Sequence, residues 1–224
     1  MDELRRAYHD RISELRQRTG ALVVAAADAV DHLTSALLEG DALARRDVIG
    51  ELDWTLEEPA RIEEEVLDIL ALEAPVGRDL RVVLASLFIA QTAGLCFGLV
   101  RTLAVRVGPG DDVLTPTLRT LAYEIGAETV GLLRRAAGAW FVLEEGLALE
   151  VIADAEASRL LQRRFLAELL QLSGVAVESA VDLGMLARVY ERLTDHAVSI
   201  ARRVVFATTG SAANPTAVAG DEPT

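Results

Sequence analysis

The sequence predicts an all-α fold of two tandem three-helix bundles, made of six long helices. Three observations carry this. Apolar residues, chiefly Ala, Leu and Val, form 51 % of the 224 residues while aromatics form 4 %, and no long segment alternates with the period of two that a half-buried strand needs. Asn-Gly and Asp-Gly hairpin signals are absent. The glycine and proline punctuation falls at helix-length intervals, and its strongest cluster, Gly108-Pro109-Gly110-Asp111, lies near the middle of the chain.

The first helix is expected over 2–39. Gly40 supplies a left-handed stop and Asp41 an N-cap for a second helix over 41–72. Glu73-Ala74-Pro75 ends that helix, because the residue before proline avoids helical dihedrals. Pro59 falls inside it, so the helix either kinks there or begins later. The third helix, 76–107, runs into the central breaker. The fourth and fifth, 112–145 and 147–173, are followed by Ser173-Gly174 and then by a sixth over 175–209. This divides the chain into a first repeat at 1–108, a second at 111–209, and a tail at 210–224. The tail has no large apolar side chain except Val218 and is expected to be disordered. The third and sixth helices both end on a branched-residue and alanine pair, Leu103-Ala104 and Ile200-Ala201, an offset of 97 residues.

All 22 basic residues are arginines and stand against 35 acids, for a net charge of −13. A surplus of anions argues against a general binder of nucleic acid or anionic membrane. Cys96 is the only cysteine, so an internal disulfide and a cysteine zinc cluster are excluded. Residues 1–20 carry five arginines without an apolar run, so a cytoplasmic location is expected. No nucleotide-binding loop, nucleophile elbow or zincin motif occurs, and without lysine no Schiff-base chemistry is possible. The chain is expected to be no enzyme.

The segment Glu191-Arg192-Leu193-Thr194-Asp195-His196-Ala197-Val198-Ser199-Ile200-Ala201-Arg202-Arg203-Val204-Val205, closing on Thr209-Gly210, resembles the C-terminal signature of the PhoU family. Leu70-Ala71-Leu72-Glu73-Ala74-Pro75-Val76-Gly77-Arg78-Asp79-Leu80-Arg81 is similar to the turn before the third helix of that family, and Leu37-Leu38-Glu39-Gly40-Asp41 through Val48-Ile49 also fits. The resemblance spans about residues 1–210. It implies paired three-helix bundles without catalysis. It also implies a cytoplasmic, commonly dimeric regulator of phosphate uptake and the phosphate-starvation response. Such a regulator acts between a phosphate ABC transporter, through its ATPase, and a phosphate sensor histidine kinase. It would meet the membrane only peripherally, at the inner face, through those partners.

Some family members hold metal clusters through an E/D-x-x-x-D pair in each repeat. Glu191 and Asp195 keep that pair in the second repeat, whereas the 97-residue offset places Gly94 and Gly98 in the first. On the preceding helix of repeat two, Asp154 remains and Ser158 replaces the second acid; in repeat one, Leu52 and Leu56 stand there, with Asp53 adjacent. Any iron, zinc or other divalent metal would therefore sit at the second repeat only, on Glu191, Asp195 and Asp154. Two readings of that pair stay open. Four-residue spacing puts both carboxylates on one helix face, yet a hard cation needs more oxygens than one helix offers. Alternatively the face is merely solvated, with Arg188 paired to Glu191 and Arg192 to Asp195. His196 points another way and adds one zinc ligand where about four are needed.

Residues 82–100 carry no charge between Arg81 and Arg101. Their length suits a membrane span, but Ser86, Gln91, Thr92 and several small residues dilute the segment, and a span would part the two bundles. No transmembrane span is expected. Burial on all sides is the expectation, with the Gln91, Gly94 and Gly98 face packed on a second subunit or the transporter. Asp79 and Arg81, at the start of this helix, are either cap and neighbouring charge or partner contacts; Arg188 joins the expected partner contacts. The second helix from 41 to 70 carries ten acids against three arginines and reads as a docking face or as ordinary solvation. A metal-binding bundle is the alternative to the phosphate regulator, and a purely structural oligomer is a third reading.

Overall fold

The computed structural model describes residues 2–106, 114–173 and 176–211. Among them the order is α1 (Asp2–Leu38), α2 (Ala42–Glu51), a 3₁₀ turn (Asp53–Leu56), α3 (Glu58–Glu73), α4 (Gly77–Arg106), α5 (Pro116–Val142), α6 (Glu145–Leu170) and α7 (Val177–Thr209), with no strand. The expected all-α architecture is present, as three rods in each half. The second rod differs from expectation. It is not one helix over 41–72 but α2, the 3₁₀ turn and α3 in succession. Pro59 lies in the first turn of α3, where its missing N–H costs nothing. The central breaker at 108–111, Gly174 and the tail beyond Ser211 lie outside the described residues.

Local chemistry accounts for the other ends. Gly40, at φ 70°, stops α1, and the Asp41 carboxylate accepts from the Leu43 and Ala44 N–H groups at 2.9 Å to start α2. Thr115 caps α5 through the Leu118 N–H, with Pro116 in its first turn. Between α5 and α6, Leu143 takes a left-handed conformation and Glu144 caps the Gly146 and Leu147 N–H groups. Gly210, at φ 81°, closes α7.

The halves share one core. α1 packs along α4 and α5, α7 packs along α4, α5 and α6, and α3 and α6 lie on the outside. Leu15, Leu22 and Leu33 of α1, Ile89 and Val100 of α4, Trp140 of α5 and Val204 of α7 belong to the same buried cluster. α4 and the Arg5–Leu38 part of α1 are each long and apolar enough to cross a membrane. Here they pack against each other inside the bundle instead.

Two glycines let α1 and α5 approach closely. A Cβ on Gly20 would lie 2.3 Å from the Phe141 ring, and one on Gly126 would lie 2.5 Å from Thr34 Cγ2. Thr34 also bonds Tyr190 of α7 through its hydroxyl at 2.5 Å, and burial pushes the Tyr190 phenol up to about 12.

Candidate functional site

The three carboxylates expected at the second repeat are each held by an arginine. Asp154 of α6 accepts from Arg135 of α5 at 2.5 Å, and Arg135 also lies 3.6 Å from Glu128. Asp195 of α7 accepts from Arg159 of α6 at 2.9 Å, so its partner is on another helix and not the expected Arg192. Glu191 pairs with Arg188, as the three-residue spacing predicts. The hydrogen bond to Asp195 holds the Arg159 guanidinium above even its high ordinary value. His196 is half-buried, and burial, reinforced by the neighbouring Arg192 charge, lowers its pKa.

These residues do not fit a metal cluster. A divalent cation needs several converging oxygens at short range, and here each acid already faces a guanidinium that would repel the incoming cation. Among the described residues no three His, Cys, Asp or Glu side chains gather in such an arrangement. Beneath the ion pairs the helices are joined by neutral polar groups. Ser158 and Thr194 hydroxyls lie 3.0 Å apart, and the Gln162 amide donates to both at 3.2 Å. Ser158 is wholly buried. A carboxylate in its place would be desolvated against a hydroxyl and an amide, a costly exchange.

The uncharged helix α4 is not buried all round. Phe88 and Leu95 are 43 % and 55 % exposed, with Leu84, Leu87 and Leu99 half-buried beside them. This outer face is bounded by α3 and the 3₁₀ turn on one side, where Gln91 donates to Glu63 at 2.8 Å and Arg101 to Asp53 at 3.2 Å. On the other side Arg203 of α7 lies 4.2 Å over the Phe88 ring. Gly94 and Gly98 part company here. A Cβ on Gly94 would lie 3.3 Å from the Pro59 ring, so its smallness serves the α3–α4 contact within the chain, whereas Gly98 faces open space.

Asp79 and Arg81 make bonds within the chain. The Tyr8 hydroxyl donates to Asp79 at 3.0 Å, and burial together with that carboxylate pushes the Tyr8 phenol up to about 12. Arg81 donates to the Ala207 carbonyl at 3.3 Å, placing a cation at the negative end of α7. Cys96 is fully buried, which raises its thiol to about 12 and removes it from redox chemistry. Trp140 is core, whereas Trp54 is 56 % exposed. Arg135 and Arg159 were not among the expected site residues; Arg159 adjoins Ser158 on α6, but Arg135 stands on α5, 19 residues from the Asp154 it meets, and which acid each arginine meets depends on helix rotation.

No protein-family model matches the chain. Among curated proteins it is 34 % identical over 215 residues to phosphate-specific transport system accessory protein PhoU homolog 1 of Mycobacterium leprae, covering 93 % of this chain and 95 % of that protein. It is 32 % identical over 214 residues to PhoU homolog 2 of Mycobacterium tuberculosis, covering 93 % and 99 %. Among solved structures it matches PhoU from Pseudomonas aeruginosa with a TM-score of 0.77 at 20 % identity, over 91 % of this chain and 100 % of the other. It also matches the phosphate transport system regulatory protein PhoU from Streptococcus pneumoniae with a TM-score of 0.80 at 17 % identity, over 92 % and 99 %.

Proposed function

The chain belongs to the PhoU family of phosphate transport accessory proteins, and from that premise we propose that it regulates phosphate uptake and the phosphate-starvation response by binding, with no chemistry of its own. Its partners are the ATPase of a phosphate ABC transporter and a phosphate sensor histidine kinase. It acts as a cytoplasmic homodimer that reaches the inner membrane face only through those partners. The observation that carries a docking role is the outer face of α4, where Phe88 and Leu95 stand exposed on a helix without charge from 82 to 100. Exposed apolar side chains rimmed by Glu63, Asp53 and Arg203 have the make-up of an interface core and its polar rim. Arg188 is exposed on α7, where it pairs with Glu191, and is proposed as a further partner contact.

Leu95→Arg places a charge in the middle of this face without touching the core. It is expected to weaken capture of the transporter ATPase or the kinase at least tenfold while leaving the melting temperature unchanged. Capture equal to wild type by this variant would remove the α4 face from the reading. Failure of the wild-type protein to capture either partner, with unchanged phosphate-responsive expression in a deletion strain, would remove the regulator itself.

Metal storage is the competing reading, and the arginine–carboxylate pairs weigh against it. Elemental analysis of the purified protein is expected to find less than one equivalent of iron, zinc or manganese per chain; a stoichiometric metal that departs in Asp195→Asn would reverse this.

A further inference from the structure

At one end of the bundle α1, the start of α4 and the end of α5 line an open pocket of ≈ 240 Å³. Its polar lining is His9, Ser13 and Arg16 from α1, and Arg78 and Asp79 from the first turn of α4. Several arginines elsewhere meet acids: Arg18 holds Glu58 and Glu65, Arg134 holds Asp28 and Asp31, Arg159 holds Asp195. Arg16 and Arg78 do not. Among the described residues neither makes an ion pair or a side-chain hydrogen bond, and Arg16 Nε is completely buried without an acceptor. Both line the same pocket, Arg78 from the exposed first turn of α4 and Arg16 from the partly buried face of α1.

A buried donor without an acceptor is costly, and a guanidinium more so than a neutral group. The acid in this lining, Asp79, is already engaged by the Tyr8 hydroxyl at 3.0 Å. The first turn of α4 adds the partial positive charge of a helix N-terminus. The Arg16 carbonyl accepts from the Trp140 indole at 3.0 Å, which fixes that turn of α1 against α5.

We propose that this cavity binds a phosphate group, clamped between the Arg16 and Arg78 guanidiniums with Ser13 and His9 as further donors. Planar guanidiniums present paired N–H groups that match two oxygens of a tetrahedral oxyanion, and such charge-assisted bonds are the strong ones. The shared chemistry is that of inorganic phosphate and of a small phosphomonoester. The assignment stands on the lining residues; it rests on the regulatory reading above only for its meaning, as a way for the chain to sense phosphate directly.

Titration calorimetry of the full chain tests this, with inorganic phosphate and glycerol phosphate in separate arms and chloride at matched ionic strength as control. Saturable one-to-one binding is expected in at least one phosphate arm, and the tighter arm identifies the source. Arg16→Gln and Arg78→Gln should each weaken it at least tenfold. Arg78 is exposed, so its replacement leaves folding intact and keeps the test decisive if Arg16→Gln is unstable. No saturable binding in either arm, equal binding by Arg78→Gln, or a response matched by chloride would overturn the proposal. The purified chain alone is used, so this outcome is independent of whether transporter or kinase is captured.

Discussion

Trp140→Ala is expected to lower the free energy of unfolding by about 3–5 kcal/mol, the usual cost of truncating a large buried aromatic. Trp140 is fully buried, the largest side chain in the core, and sits on α5 where that helix meets α1. Truncation removes the ring's packing and also the bond from its indole to the Arg16 carbonyl. For a chain of this size that loss corresponds to a fall in melting temperature of roughly 6–20 °C. Trp140→Phe keeps most of the apolar volume and should cost less. The Arg16 carbonyl remains inside α1 and keeps its helical environment, so the lost hydrogen bond contributes only about 0.5–1.5 kcal/mol. Denaturant melts followed by far-UV circular dichroism measure both variants. A loss below about 1 kcal/mol for the alanine variant would mean that the helices close over the void, contrary to a jigsaw-packed core.

The second large effect concerns a glycine. Gly126→Ala is expected to destabilise the fold by about 1–2 kcal/mol, the overpacking cost net of the roughly 1 kcal/mol that alanine contributes to a helix interior. The added Cβ would meet Thr34 Cγ2 at 2.5 Å, and Thr34 has little freedom to move. It is β-branched, buried, and bonded through its hydroxyl to the Val30 carbonyl at 2.6 Å and to Tyr190. Thr34→Ser removes the offending methyl and keeps the hydroxyl, so it should restore part of the loss in the double variant. Gly131 and Gly138 lie on the same helix with nothing within 4 Å of an added Cβ. Gly131→Ala should therefore stabilise by up to about 1 kcal/mol. Equal effects at 126 and 131 would show that close approach of α1 and α5 is not what Gly126 provides.

Helix ends were legible where a few neighbouring residues settle them. Gly40 and Asp41, Ala74 and Pro75, and Gly210 act through their own dihedrals and caps, and the structure places ends at each. The second rod was less legible, because nothing local between Leu52 and Glu57 forbids a helix and Pro59 allows either a kink or a new start. The carboxylate faces were half legible. Glu191 finds Arg188 one turn away on its own helix, but Asp195 takes Arg159 from α6 in preference to Arg192. Gly94 and Gly98 read as a matched pair, and only the position of Pro59 separates them.

The sequence by itself determined the helical class, most of the breaks and the family. All of these depend on residue type and on neighbours a turn or less away. Tertiary structure alone decided which guanidinium meets which carboxylate, which side of α4 stays exposed, and that Arg16 and Arg78 line one pocket without pairing to an acid. Those outcomes depend on how each helix is rotated about its axis and how closely α1, α4 and α5 approach. Packing sets these quantities across separations of 60 residues and more, from Arg16 to Arg78 and on to Leu143, where no local periodicity reports them.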